Sequence, residues 1–150
     1  MERGMEVIEM SETKDSIIIK GRTVYPGKVE GEALVSKMPL MGWGNVNVKQ
    51  GFTVERDHPL YEVPLKDKIL VFPYVRGSGG FVMYGHTKRY GVNPLAMLCT
   101  EPISYGIFAA MTMKQPMMTD FDIDPVKIIE TGDYIIVNAD EGFIEIVKNV

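Results

Sequence analysis

The sequence predicts a mixed α/β domain: a mixed sheet or partial barrel with two main helices to one side. Three observations predict it. Segments rich in β-formers dominate the chain. Two helix-like segments sit among them near the middle, in β-α-β-α order. The last third alternates short apolar runs with Gly/Asp turn signals, as hairpins do. The chain has 150 residues, enough for one domain with its own core. Residues 1–15 are mostly charged or polar without a sustained period and read as a mobile lead-in. Residues 16–150 read as a single domain.

The first convincing strand centres on Ile17-Ile18-Ile19. Thr23-Val24-Tyr25 follows, and Pro26-Gly27 signals a turn. Residues 28–36 resume strand character, with Val29, Gly31, Ala33 and Val35 on one face at period two. Residues 39–51 read as irregular and hold the only tryptophan, Trp43, between Gly42 and Gly44. Trp43 either packs into the core or lines a pocket. Phe52-Thr53-Val54 is a short strand. Residues 55–60 are a polar turn, in which Asp57 and His58 either pair by a hydrogen bond or are solvated. Ile69-Leu70-Val71-Phe72 is a buried strand, and residues 81–90 suit a helix. Residues 95–99 form the next strand. Pro102 and Ser104 mark a helix start, Ser104 being a candidate N-cap. Ile107, Phe108 and Met111 share one face of that helix, which ends near Lys114-Gln115-Pro116. Met117 and Met118 suit core gaps. Residues 126–129, 134–137 and 143–147 read as closing strands.

Composition excludes several classes. Hydrophobic residues make up 45% and charged residues 24%, as in soluble globular proteins. With 16 Lys+Arg against 20 Asp+Glu, the net charge of −4 offers no basic excess for nucleic acid. No run is long enough to span a bilayer, and no basic flank with an apolar core marks a secretory signal. The expected location is the cytoplasm. Cys99 is the one cysteine, so it closes no intrachain disulfide and holds no iron–sulfur cluster alone. It reads as a small buried hydrophobe. His58 and His86 lack ligand spacing, so no metal site is expected on this chain.

The strand at 69–72 leads into Arg76-Gly77-Ser78-Gly79-Gly80, a small-residue loop with one cation and one hydroxyl. Strand, glycine loop, helix is a geometry that presents backbone N–H groups and one side chain to a ligand. A plain tight turn accounts for the same residues.

Taken in order, several segments resemble the small subunit, or swivel domain, of the aconitase X family. They are Gly21-Arg22 through Pro26-Gly27, Gly31-Glu32-Ala33-Leu34-Val35-Ser36, Pro39-Leu40, Trp43-Gly44, Gly51 and Asp57-His58-Pro59-Leu60. Arg76-Gly77-Ser78, Asn93-Pro94-Leu95-Ala96-Met97, Glu101-Pro102-Ile103 and Thr131-Gly132-Asp133 complete the set. The resemblance implies a swivelling β/β/α domain like the mobile domain of aconitases. It implies a large aconitase X-type subunit as partner in a heterodimer, with the iron–sulfur cluster in that partner. A separate short chain leans toward the archaeal type, which dehydrates (R)-5-phosphomevalonate to an anhydromevalonate phosphate in isoprenoid biosynthesis. Bacterial relatives act on hydroxyprolines. A small phosphorylated or carboxylate substrate is therefore expected.

Matched onto the family, Ser78 is the catalytic base, acting as an alkoxide. A serine hydroxyl needs N–H donors and a cation for that. Gly77, Gly79, Gly80 and Arg76 are placed to supply them, or to bind a substrate anion. The sequence departs from the family at Gly79-Gly80-Phe81 and at Asn47, where relatives commonly have small hydroxyl or cysteine residues and an aspartate. A divergent ligand-binding or assembly module without catalysis is the alternative those departures leave.

Overall fold

The computed structural model describes residues 16–41, 45–76, 79–102 and 104–149. The expected lead-in, Trp43, Gly77 and Ser78 lie outside the described residues. The strands are β1 (Ser16–Lys20), β2 (Arg22–Tyr25), β3 (Lys28–Val35), β4 (Leu40–Met41), β5 (Val46–Asn47) and β6 (Phe52–Thr53). They continue with β7 (Lys68–Phe72), β8 (Val75–Arg76), β9 (Ala96–Cys99), β10 (Met117–Thr119), β11 (Tyr134–Asn138) and β12 (Phe143–Val147). A 3-10 helix (Gly79–Tyr90), α1 (Ser104–Met113) and the short α2 (Pro125–Ile128) complete the elements.

An eight-stranded mixed sheet runs in the order β1-β12-β11-β3-β7-β9-β10-β2. The strands β3, β7, β9 and β10 are mutually parallel, with Ala33 opposite Ile69, Ile69 opposite Ala96, and Leu98 opposite Met118. Parallel strands are covered on both faces, which explains their unbroken apolar runs. Leu70, Phe72, Met97, Cys99 and Met117 pack on one side with Tyr84 of the 3-10 helix and Ala109, Ala110 and Met113 of α1. Ile69, Val71, Ala96, Leu98 and Met118 pack on the other with Val126 of α2 and Ile135, Ile144 and Ile146. On β3 the expected period-two face holds as far as Ala33. Leu34 is then buried too, because the strand enters the doubly covered region.

The two edge strands of this sheet, β1 and β2, are consecutive in the chain and separated by Gly21 alone. The sheet therefore curls until its edges meet at that corner, and the mixed sheet is one of the two forms, mixed sheet or partial barrel, that the sequence predicts. Gly21 N–H donates to Gly142 O at 3.0 Å, and Ala139 N–H to Gly27 O at 2.9 Å. A Cβ on Gly21 would lie 2.5 Å from Cδ1 of Phe121, so the corner has room for glycine only.

Three expectations are corrected. The buried face of α1 is not Ile107, Phe108 and Met111. Phe108 and Met111 are each 52% exposed, while Gly106, Ala109, Ala110 and Met113 face inward. Close approach decides this: a Cβ on Gly106 would sit 3.1 Å from Val75, and one on Gly85 of the 3-10 helix 2.9 Å from Thr112. Gly85 lets the two helices touch and Gly106 lets α1 approach β8, while Phe108 and Met111 are turned outward. Residues 126–129 are not a strand. Asp124 caps Val126 N–H at 3.1 Å and Pro125 sits in the first turn, so local capping overrides β-branched propensity there. Residues 39–51 hold two short strands, β4 and β5. Ser104 is the first residue of α1. The strand β10 carries Met117 and Met118 into the core, as their expected gap-filling role requires.

Thr131-Gly132-Asp133 locks β3 to β11. Ala33 N–H donates to Asp133 O at 2.8 Å, and Val35 N–H to Thr131 Oγ1 at 2.9 Å. The buried Asp133 carboxylate accepts from Lys148 Nζ at 2.6 Å, Asn149 N–H at 2.9 Å and Glu130 N–H at 2.8 Å. Burial pushes its pKa up, but these bonds and the Lys148 charge outweigh burial and hold it below the usual range.

Two outcomes follow for stability. Gly21→Ala is expected to cost about 1–3 kcal/mol by overpacking against Phe121, read as a lower midpoint in urea. Because the folded pKa of Asp133 is depressed, its contribution is present above the ordinary carboxylate pKa of about 4 and is lost as pH falls further. Asp133→Asn should therefore be destabilised at neutral pH by about 2–4 kcal/mol, and its deficit should shrink in acid denaturation profiles.

Candidate functional site

Side chains along the doubly covered parallel strands are committed to packing, so chemistry falls to the strand ends. In open α/β sheets ligands lie beyond the carboxyl ends. There β7 passes through Pro73 and Tyr74 into β8, which pairs in parallel with β4, Leu40 opposite Val75 and Met41 opposite Arg76. The chain then reaches the 3-10 helix at Gly79. Arg76 and Gly79 thus flank the loop that the sequence singles out. Gly77 and Ser78 themselves lie outside the described residues.

Arg76 is held. Its Nη2 donates to Glu55 Oε2 at 2.8 Å. The Glu55 side chain is only 16% exposed, the Arg76 side chain 43%. Glu55 Oε1 is buried and has no hydrogen-bond partner among the described residues. Glu55 N–H donates to Thr53 Oγ1 at 3.3 Å, and that hydroxyl donates to Asn45 O at 2.8 Å. Tyr84 is buried behind this group. Burial pushes its phenol up to about 12; the Thr53 hydroxyl opposes the rise and the Glu55 charge adds to it. The arrangement is a guanidinium fixed on one side by a carboxylate, with part of its donor fork open to solvent. Such a group binds an anion without first being ordered.

Glu55 and Tyr84 are the residues that sequence reasoning missed. Glu55 lies 21 positions before Arg76 and reads as part of a polar turn. The only sequence signal is an acid immediately after the Phe52-Thr53-Val54 strand.

His58 is neither paired with Asp57 nor solvated. It is buried, its Nδ1 accepts from Leu60 N–H at 3.0 Å, and its Nε2 lies 3.1 Å from Pro39 O and 3.3 Å from Ser36 Oγ. Since Nδ1 accepts, the proton sits on Nε2 and is donated. The ring staples the 36–39 segment to the 58–60 turn and is spent as structure. Asn47 serves a turn: its Oδ1 accepts from Gln50 N–H and its Nδ2 donates to Gln50 Oε1, both at 3.0 Å. Cys99 is buried; burial pushes its thiol up to about 11, the Thr119 hydroxyl opposes this, and Asp120 and Glu101 add to it. A protonated, enclosed thiol is a packing residue. Among the described residues no three His, Cys, Asp or Glu side chains cluster as metal ligands. None of the described helices is long and apolar enough to cross a membrane.

The raised Tyr84 pKa has a testable sign. Its contribution to stability is fully present below the ordinary phenol value of about 10 and is lost as pH rises toward about 12. Glu55→Gln removes a negative neighbour, so the Tyr84 ring should ionise at lower pH in that variant, read by the ring-carbon NMR shift during alkaline titration.

The family model described as aconitase X swivel domain matches residues 18–146. The phosphomevalonate dehydratase small subunit of Methanosarcina acetivorans is 37% identical over 134 residues, covering 88% of this chain and 92% of that protein. The protein of the same name from Methanocaldococcus jannaschii is 37% identical over 132 residues, covering 87% of this chain and 98% of the relative. The crystal structure of Thermococcus kodakaraensis aconitase X in its holo-form superposes with a TM-score of 0.80 at 30% identity, covering 88% of this chain and 99% of that one. The chain belongs to the aconitase X swivel-domain family.

Proposed function

We propose that this chain is the small subunit of a phosphomevalonate dehydratase, a hydro-lyase of the mevalonate pathway that works with a large aconitase X-type subunit in the cytoplasm. The observation that carries the reading is 37% identity, over 88% of the chain, to a protein named as that small subunit. An iron–sulfur cluster does not fit this chain, because it takes several thiolates and the single cysteine is buried and protonated. The reading assigns the cluster, and with it the departure of hydroxide, to the large subunit.

This chain's contribution is the loop after β8. Ser78 takes a carbon-bound proton from the substrate as an alkoxide. The backbone N–H groups of Gly77 and Gly79, together with the Arg76 cation, favour the anionic oxygen or hold a substrate phosphate or carboxylate. Two features support this assignment: the position of the flanking Arg76 beyond the carboxyl end of β7, and the ion pair that anchors Arg76 to Glu55.

Reconstitution with the large subunit tests it. Ser78→Ala should lower kcat by roughly 10²–10⁴-fold while the heteromer still assembles by mass measurement. Turnover unchanged in that variant would overturn the role of Ser78. Substrate binding without any turnover in the reconstituted wild-type complex would favour the assembly-module reading instead.

A further inference from the structure

A second site lies at the opposite end of the parallel strands. The segments that enter β7, β9 and β10 enclose an open cavity of about 320 Å³. Cavities of this size hold small ligands. Lys66, Lys88 and Lys114 line it against a single acid, Asp67. Among the described residues none of the three lysines forms an ion pair, whereas nearby Lys68 is paired with Glu32. In a chain of net charge −4, this is a local excess of two positive charges.

A buried donor also lies in the wall of the cavity. Gln115 lines it and is 3% exposed. Asn93 Nδ2 donates to Pro94 O at 3.0 Å and to Gln115 Oε1 at 3.2 Å. Because a carbonyl only accepts, the Asn93 amide must turn its NH₂ group toward Pro94, and this fixes the Gln115 oxygen on Asn93. Gln115 Nε2 is left buried with no hydrogen-bond partner among the described residues. A buried donor without an acceptor is a cost that an anion in the cavity would relieve once the Gln115 amide turns toward it.

We propose that this cavity binds a phosphate-class dianion, with the lysines neutralising its charge and Gln115 Nε2 donating a hydrogen bond. Two net positive charges match a dianion better than a carboxylate, and ammonium groups are effective point-charge partners for phosphate. The site lies at the opposite end of the strands from Arg76 and Gly79. Its ligand is free phosphate or the phosphate group of a small phosphomonoester.

Titration of the full ¹⁵N-labelled chain with inorganic phosphate and with glycerol phosphate, against acetate at matched ionic strength, tests the proposal. Saturable shifts of the Gln115 and Asn93 side-chain amides are expected with at least one phosphate probe and not with acetate. Binding of inorganic phosphate alone identifies free phosphate as the ligand, and tighter binding of glycerol phosphate identifies a phosphomonoester. Lys66→Gln combined with Lys88→Gln, both exposed positions, should weaken binding by about tenfold or more without altering the fold. Shifts that fail to saturate, shifts equal in acetate, or unchanged affinity in the double variant would overturn it.

Discussion

Burial of both faces of β7, β9 and β10 dictates where everything else in this chain is placed. Leu70 and Phe72 face one layer, Ile69 and Val71 the other, and no side chain in that run is left for chemistry. Polar groups inside such a slab would be costly unless paired. They therefore collect at its two ends: Arg76 and Glu55 beyond the carboxyl ends, Lys66, Lys114 and Gln115 at the amino ends. The antiparallel half of the sheet answers a different need. It covers one face of the slab, and curling through Gly21 leaves the long sheet without widely separated edges, which would otherwise invite pairing with other chains.

The legible part of the fold was the part carried by local composition. Ile17-Ile18-Ile19 and Ile69-Leu70-Val71-Phe72 are strands because β-branched and aromatic residues suit a buried pleat, and 134–137 and 143–147 because Asp/Gly turns bracket them. What misled was bulk. A helix packed against a sheet is expected to bury its largest apolar residues, yet α1 buries Gly106, Ala109 and Ala110 along with Met113, because Val75 of β8 crowds Gly106 and the 3-10 helix brings Gly85 against Thr112. The capping of α2 by Asp124 was readable in principle, since an acid followed by proline marks a helix start. Val126, Ile128 and Ile129 outweighed it in the pattern.

The candidate site was half legible for a related reason. Arg76 and Gly79 stand three positions apart in one short loop segment and could be singled out there. Glu55 could not, because its tie to Arg76 spans 21 positions and joins the ends of two strands, β6 and β8, that do not pair with each other. Long-range ion pairs leave no local pattern. His58 shows the opposite error: next to Asp57 it suggested local chemistry, but the fold uses both ring nitrogens to fasten backbone segments near Ser36, Pro39 and Leu60.

The Glu55–Arg76 pair carries two requirements that pull in different directions. A carboxylate this enclosed needs a compensating charge, or it would bind a proton or open its surroundings to water. Under the proposed role, a guanidinium that meets an anion needs donors still free and pointing outward. Arginine satisfies both because its planar fork has five N–H donors, so one edge binds Glu55 while another faces solvent. Lysine, a point charge on a flexible stem, would be drawn wholly to Glu55 and leave the loop without a directed cation. The buried acid thus sets the orientation of the exposed base, and the residue type at position 76 follows from the burial of the residue at position 55.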